Sequence, residues 1–329
     1  MNQKRIFSGI QPTNNIHIGN YIGAIEQFVE LQNEFDCVFS IVDLHAMTVH
    51  QDPEDLRNNV LNLAAMYLAA GVDPKKSILF QQSRVSEHAE LGWILNTITH
   101  MGELERMTQY KEKGRGKHDT VGVGLFSYPV LMASDILLYN TDVVPVGEDQ
   151  KQHVELARDL AERFNHLFGS IFKVPEVRLR TEGARIMGLD DPTKKMSKSA
   201  SSAKNYILMT DDDDTITKKI KSAVTDSEGT IKYEVKRPGV YNLITIMSAV
   251  TDLTPKQIET KYKDKGYADF KSDLAEAMVE FITPIRMRHS ELMEDSEMLK
   301  SILDDGAERA KEIAAKKMNQ VKERVGINL

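Results

Sequence analysis

Apolar positions along this chain follow two rhythms. Over the first two hundred residues, short continuous runs of strand length alternate with longer stretches in which apolar residues recur every three to four positions. The short runs are 5–8, 37–42, 77–80 and 143–146, with a shorter one near 184–187. Helical patterns lie between them. One starts at about Gly19 and carries Ile22, Ile25, Phe28, Val29 and Leu31; others cover 54–70, 86–108 and 126–139. A long one opens at Gly147-Glu148-Asp149 and places Val154, Ala157, Leu160, Ala161, Phe164 and Leu167 on one face. Strands that alternate with helices predict an α/β fold built on a doubly wound, Rossmann-like parallel sheet. Beyond Ser202 only the helical rhythm remains, over 215–224, 240–249, 272–289 and 307–325. The change predicts a boundary near 203–206. A catalytic domain over 1–203, with a helical insertion around 86–140, would then precede an all-helical domain over 204–329.

Composition narrows the class. A chain of 329 residues with 41% hydrophobic content can bury a sizeable core. Its net charge of -7 argues against coating nucleic acid through bulk charge and leaves room for a local basic face. Such a face is available over 309–325, where Arg309, Lys311, Lys316, Lys317, Lys322 and Arg324 outnumber Glu312 and Glu323 to give +4. Cys37 is the single cysteine, so no internal disulfide can form; it reads as a packed thiol in a protein of a reducing compartment. The N-terminus leads into a strand and not a signal segment, and no apolar run is long enough for a bilayer, so a cytoplasmic protein is expected, with no membrane partner. Asp211-Asp212-Asp213-Asp214 stands just before a helical pattern rich in lysine and reads as a cap and dipole partner, not as a cation site. Trp93, inside a helical run, reads as core.

Candidate chemistry sits in two places. Ligands of an open parallel sheet collect at the carboxyl ends of the strands, where helix N-termini present backbone amides. The first such turn holds Gln11-Pro12-Thr13 and, directly before a helix, His17-Ile18-Gly19-Asn20. His17 and Asn20 offer donors to phosphate, and Gly19 permits close backbone approach. The second place is Asp191-Pro192-Thr193-Lys194-Lys195-Met196-Ser197-Lys198-Ser199, whose Lys195 and Lys198 could neutralise a polyphosphate. Each alone reads equally well as a helix cap or a solvated turn. Their conjunction is far more specific.

The pair resembles the two signatures of the class I aminoacyl-tRNA synthetases, a HIGH-type motif at His17-Ile18-Gly19-Asn20 and KMSKS at Lys195-Met196-Ser197-Lys198-Ser199. Asn20 in place of a second histidine is similar to the tryptophanyl branch, although that branch often has threonine where His17 stands. Further stretches resemble the same bacterial branch: Phe7-Ser8-Gly9-Ile10-Gln11-Pro12-Thr13, Gly102-Glu103-Leu104-Glu105-Arg106-Met107-Thr108-Gln109, Asp135-Ile136-Leu137-Leu138-Tyr139, Val146-Gly147-Glu148-Asp149-Gln150 and Ala223-Val224-Thr225-Asp226-Ser227-Glu228-Gly229.

The resemblance implies a HIGH-type nucleotidyl transferase that activates L-tryptophan with ATP and then charges tRNA(Trp), releasing AMP. Attack of a carboxylate on an α-phosphate needs positioning and charge neutralisation more than a protein nucleophile, which agrees with the absence of a required triad. By resemblance, Gln11, Pro12, Thr13, His17, Gly19, Asn20, Gly147, Glu148, Asp149 and the backbone at Ile186 would hold the nucleotide. Lys113 and the Lys195-Met196-Ser197-Lys198-Ser199 loop would hold the leaving pyrophosphate with Mg²⁺ carried on ATP. Lys195, Lys198, Asn20 and Gln11 would be the catalytic set, with no metal ligand from the protein and no zinc or iron–sulfur site. Asp135, whose carboxylate would be costly to bury unpaired, would accept from the indole N–H. Tyr128 and Gln150 would meet the ammonium, while Met132, His45, Phe7, Val144 and Val146 would line the ring. The family reads the anticodon through its helical domain and works as a symmetric dimer; no DNA partner is implied. Three rivals are a tyrosyl enzyme, a smaller nucleotidyltransferase and a non-catalytic RNA-binding regulator.

Overall fold

The computed structural model describes residues 3–12, 16–108, 110–111, 122–179, 185–197 and 202–328. Thr13, Lys113, Lys198 and Ser199 among the expected site residues lie outside these.

Five strands, β1 (Arg5–Ile10), β2 (Asp36–Ile41), β3 (Ile78–Gln81), β4 (Val143–Val146) and β5 (Glu176–Leu179), form one sheet in the order β3-β2-β1-β4-β5. Every pairing is parallel; Ile6 lies opposite Cys37 on one side and Val143 on the other. Four of the strands are those the apolar runs predict. The fifth is not: residues 185–187 of the expected strand make only an isolated antiparallel bridge, Met187 to Lys195, and Ala184 is outside the described residues. The edge strand is instead Glu176–Leu179. Its burial is low, so it lacks the apolar run by which the four buried strands announce themselves.

Strands β1 to β4 are buried on both faces, and their successive residues face opposite cores. Ile6, Cys37, Phe39, Ile41, Leu79 and Val143 belong to one apolar cluster, while Phe7, Val38, Ile78, Phe80, Val144 and Val146 belong to another. This is the period-two side-chain rule applied to a doubly wound sheet. Against the first face pack α1 (Ile18–Asn20), a π-helical segment (Tyr21–Ile25), α2 (Glu26–Leu31) and α4 (Pro53–Ala70). The short helix α3 (Asp43–Ala46) caps the end of β2. Against the second face pack α5 (Glu87–Asn96), α6 (Met101–Glu105), α7 (Val123–Leu137) and α8 (Lys151–Phe168).

Helices make up the rest: α9 (Asp213–Lys221), α10 (Pro238–Val250), α11 (Pro255–Lys261), α12 (Tyr267–Glu294) and α13 (Ser296–Val325). Side chains of α9 to α12 join the first cluster, and Ala307, Ala310, Ala314, Met318 and Val321 of α13 join the second. Asp212 caps α9 by accepting from Thr215 N at 2.7 Å, with Asp213 and Asp214 in its first turn, as the acidic run predicts. Cys37 is buried, and burial pushes its thiol up to about 12.

Two expectations are corrected. Trp93 is 72% exposed, because it stands on the face of α5 turned away from the second cluster. The basic stripe on α13 is partly consumed internally: Lys317 is buried and donates to Ile171 O at 2.6 Å, Lys322 pairs with Glu90 at 2.6 Å, and Arg309 donates to Pro74 O at 2.7 Å. Lys311, Lys316 and Arg324 face solvent.

Candidate active site

Strand order fixes where a ligand can sit. The chain runs outward from β1 through β2 to β3 and then crosses to β4 on the other side of β1. The crevice at the carboxyl ends of β1 and β4 is therefore the topological switch point. The turn after β1 leads to the start of α1. There the buried His17 is the N-cap: its Nδ1 accepts from Asn20 N at 3.2 Å, and His17 N reaches Asn20 Oδ1 at 3.4 Å. His17 thus shapes the helix start, while Asn20 and Gln11 are exposed and Pro12 is buried. Gly19 fits this turn closely, since a Cβ would lie 3.1 Å from the His17 ring and 3.4 Å from Ile186 Cβ.

That contact joins the first signature to the second. Ile186 O accepts from Met196 N at 3.1 Å and Lys194 O accepts from Gly188 N at 2.9 Å, so the lysine stretch folds back antiparallel on 186–188. Met196 anchors the stretch in the core, and Lys194 and Lys195 are exposed. Lys194 is paired with Asp191 at 2.9 Å. Asn205 pins the base of the loop: its Oδ1 accepts from Ser197 N at 3.1 Å, and its Nδ2 donates to Asp190 Oδ1 at 2.5 Å. Residues 207–209 bond back to the first signature, with Ile18 N donating to Ile207 O and Met209 N to Ile16 O. Asn205 and Asn242, the latter clamped on Met187, were not found by sequence reasoning. A buried asparagine in an apolar helix, as at Asn242, is the signal that could have found one of them.

On the other side of the crevice β4 runs into Gly147 and a 3-10 turn, Glu148–Gln150. A Cβ on Gly147 would lie 2.8 Å from Asp149 Oδ1. Glu148 and Asp149 are exposed, and the half-buried Gln150 donates to Asp149 Oδ2 at 3.3 Å.

Asp135 lies deeper, on α7, fully buried rather than on an outer face. Its Oδ2 is 2.7 Å from His45 Nε2, and its Oδ1 is 2.6 Å from His88 Nδ1 and accepts from Gln82 Nε2 at 2.7 Å. Burial alone would push this carboxyl up; the facing His45 and His88 outweigh it and hold the group well below the usual carboxylate range. Gln82 also accepts from Leu44 N at 3.2 Å, which ties the end of β3 to α3. Tyr128 crosses edge-on to His45 at 6.1 Å, and its hydroxyl is 2.8 Å from His153 Nε2; burial pushes that phenol up to about 12. Phe7, Val144 and Val146 are buried in the second cluster, and Met132 packs partly buried against it. His88 and Gln82 were not among the expected site residues, because nothing in their local pattern separates them from ordinary helix and loop positions.

A parallel sheet whose switch point is flanked by a glycine-opened helix start and a glycine turn defines a nucleotide-binding α/β protein. The profile of the tRNA synthetases class I (W and Y) matches residues 1–283, and the chain belongs to that family. It is 55% identical over 324 residues to the tryptophan–tRNA ligase of Bacillus anthracis, covering 98% of each chain. The crystal structure of tryptophanyl-tRNA synthetase from Mycoplasma pneumoniae superposes with a TM-score of 0.90 at 37% identity, covering 98% of both chains. That of the Campylobacter jejuni protein complexed with ADP and tryptophan gives 0.84 at 42% identity, covering 98% of this chain and 99% of that one.

Proposed function

We propose that this chain is a tryptophan:tRNA ligase. It activates L-tryptophan with ATP to tryptophanyl-adenylate and pyrophosphate, then transfers the amino acid to the 3′ end of tRNA(Trp) and releases AMP. The observation that carries the reading is 55% identity over 98% of the chain to a tryptophan–tRNA ligase, supported by the buried Asp135 carboxylate faced by His45 and His88.

A carboxylate oxygen of tryptophan attacks the α-phosphorus, and the bond from that phosphorus to the α,β-bridging oxygen breaks, so that pyrophosphate leaves with the electron pair. The protein's part is to hold the reactants in line and neutralise charge. Gln11, Gly19, Asn20, Gly147 and Asp149 hold the adenosine and α-phosphate, and Lys195, with Lys198 and Lys113, holds the leaving group. The described loop offers cations, which fit phosphate oxygens and not a metal ion; Mg²⁺ would enter on the ATP phosphates and spread their charge. Asp135 accepts from the indole N–H, and a site built on that bond rejects phenylalanine by about 10⁴.

The 204–329 segment reads the anticodon, and the protein works in the cytoplasm as a homodimer. Large apolar side chains in solvent, Trp93 on α5, Met101 on α6 and Val123 on α7, support a covered face on that side. Among the described residues no helix is long and apolar enough to cross a membrane.

ATP–pyrophosphate exchange with each amino acid in turn tests the assignment. Exchange with tryptophan alone is expected; exchange with tyrosine would move the chain to the sister branch, and none with any amino acid would overturn the activity.

A further inference from the structure

A carboxylate offers about four acceptor directions, two on each oxygen. Among the described residues three of those on Asp135 are taken. Oδ1 faces two donors, Gln82 Nε2 at 2.7 Å and His88 Nδ1 at 2.6 Å. Oδ2 faces one, His45 Nε2 at 2.7 Å. The remaining direction is on Oδ2, the oxygen on the His45 and Tyr128 side.

An ionised carboxylate donates nothing, so each imidazole nitrogen that faces it must carry a proton. For His88 this puts the proton on Nδ1 and makes Nε2 the acceptor of the Tyr139 hydroxyl at 2.8 Å. The ring cannot turn to escape that role. It is fully buried between Phe80, 5.8 Å away, and Tyr139, 5.5 Å away, and the His88 carbonyl accepts from Ser134 Oγ at 2.7 Å, one residue before Asp135 on the same helix.

We propose that His88 is a positioning residue for amino-acid selection: held by Tyr139, it donates to Asp135 Oδ1, fixes the carboxylate plane and leaves Oδ2 as the one acceptor that reads a ring N–H. The proposal rests on the reading of Asp135 as the indole acceptor. Without His88, Oδ1 would regain an open direction and the carboxylate could rotate, so the penalty on a substrate lacking a donor would shrink.

Tryptophan-dependent ATP–pyrophosphate exchange on the full chain tests this. In His88→Leu the Michaelis constant for tryptophan is expected to rise about tenfold and the preference for tryptophan over phenylalanine to fall about tenfold, with that for ATP within about twofold. Two near-isosteric amides give a sharper contrast. The asparagine nitrogen of His88→Asn can occupy the Nδ1 position and should restore selection to within about threefold of the parent, whereas the longer His88→Gln reaches toward Tyr139 and should behave like His88→Leu. Equal selection in His88→Asn and His88→Gln, or parental selection in a His88→Leu protein with parental thermal midpoint, would overturn the role. Asp135→Ala separates the two levels: if it also kept selection, the acceptor reading itself would fail, and if it alone lost selection, only the role of His88 would.

Discussion

Asn242, on α10, closes a two-bond ring on the backbone of Met187: its Oδ1 accepts from Met187 N at 2.8 Å and its Nδ2 donates to Met187 O at 2.9 Å. The asparagine is buried. Met187 in turn is bridged to Lys195 and adjoins Ile186, which packs beside Gly19. One side chain from the helical half thereby sets the height of the stretch that joins both signatures.

Asn242→Ala would leave the half-buried N–H and carbonyl of Met187 without these partners, a loss of about 1–3 kcal/mol. A lower urea midpoint and a raised Michaelis constant for ATP are expected together. A stability loss with parental ATP kinetics would limit Asn242 to the fold.

Lys195 is exposed on a stretch otherwise anchored by Met196. On the proposed reading its charge acts where negative charge develops on the leaving pyrophosphate. Lys195→Ala is expected to slow single-turnover adenylate formation by about two orders of magnitude while tryptophan binding stays near the parent value. Equal loss of both in stopped-flow and equilibrium binding would contradict the role.

Glu26, on α2 just after the π-helical segment, has its carboxyl pushed up to about 7, first by burial and then by Glu30. A raised acid binds its proton more tightly in the folded chain, so folding is favoured at low pH and loses stability as the pH rises from about 4.5 to about 7. Solvent on its open side screens the charge, leaving a penalty of about 1 kcal/mol above pH 7. Glu26→Gln should unfold at higher urea than the parent at pH 8 and at the same urea at pH 4. A gain of equal size at both would point to packing.

Gly306 of α13 lies against the edge strand β3, where a Cβ would fall 1.8 Å from Leu79 O. That oxygen is backbone and cannot step aside. Gly306→Ala must lift α13 from the sheet, which is expected to destabilise by about 3 kcal/mol and lower the thermal midpoint; a parental midpoint would show that the helix can shift freely.

Much of the candidate site was legible in the chain because it consists of local motifs. The helix start at His17 and the lysine stretch announce themselves through glycine, proline and charge, and the buried strands through unbroken apolar runs. Asp135 was visible as an anomaly, a carboxylate in an apolar helix, but its burial was not: a helical pattern cannot say which face meets a second layer. Glu176–Leu179 was missed because a short edge strand with low burial carries no apolar run. Trp93 misled for the converse reason, since hydrophobicity alone does not say which face of α5 is covered.

The sequence by itself determined most of the elements, the doubly wound class and the two signatures, because each depends on residues close along the chain. Tertiary structure alone decided what surrounds Asp135. Its donors come from α3, the turn after β3 and α5, the nearest of them 47 residues away, and only the stacking of helices on the sheet brings them within hydrogen-bond reach. The same holds for Asn242 and Met187, 55 residues apart. Hydrogen bonds are read at about 3 Å, and no spacing rule within a sequence specifies which distant residues the packing will bring that close.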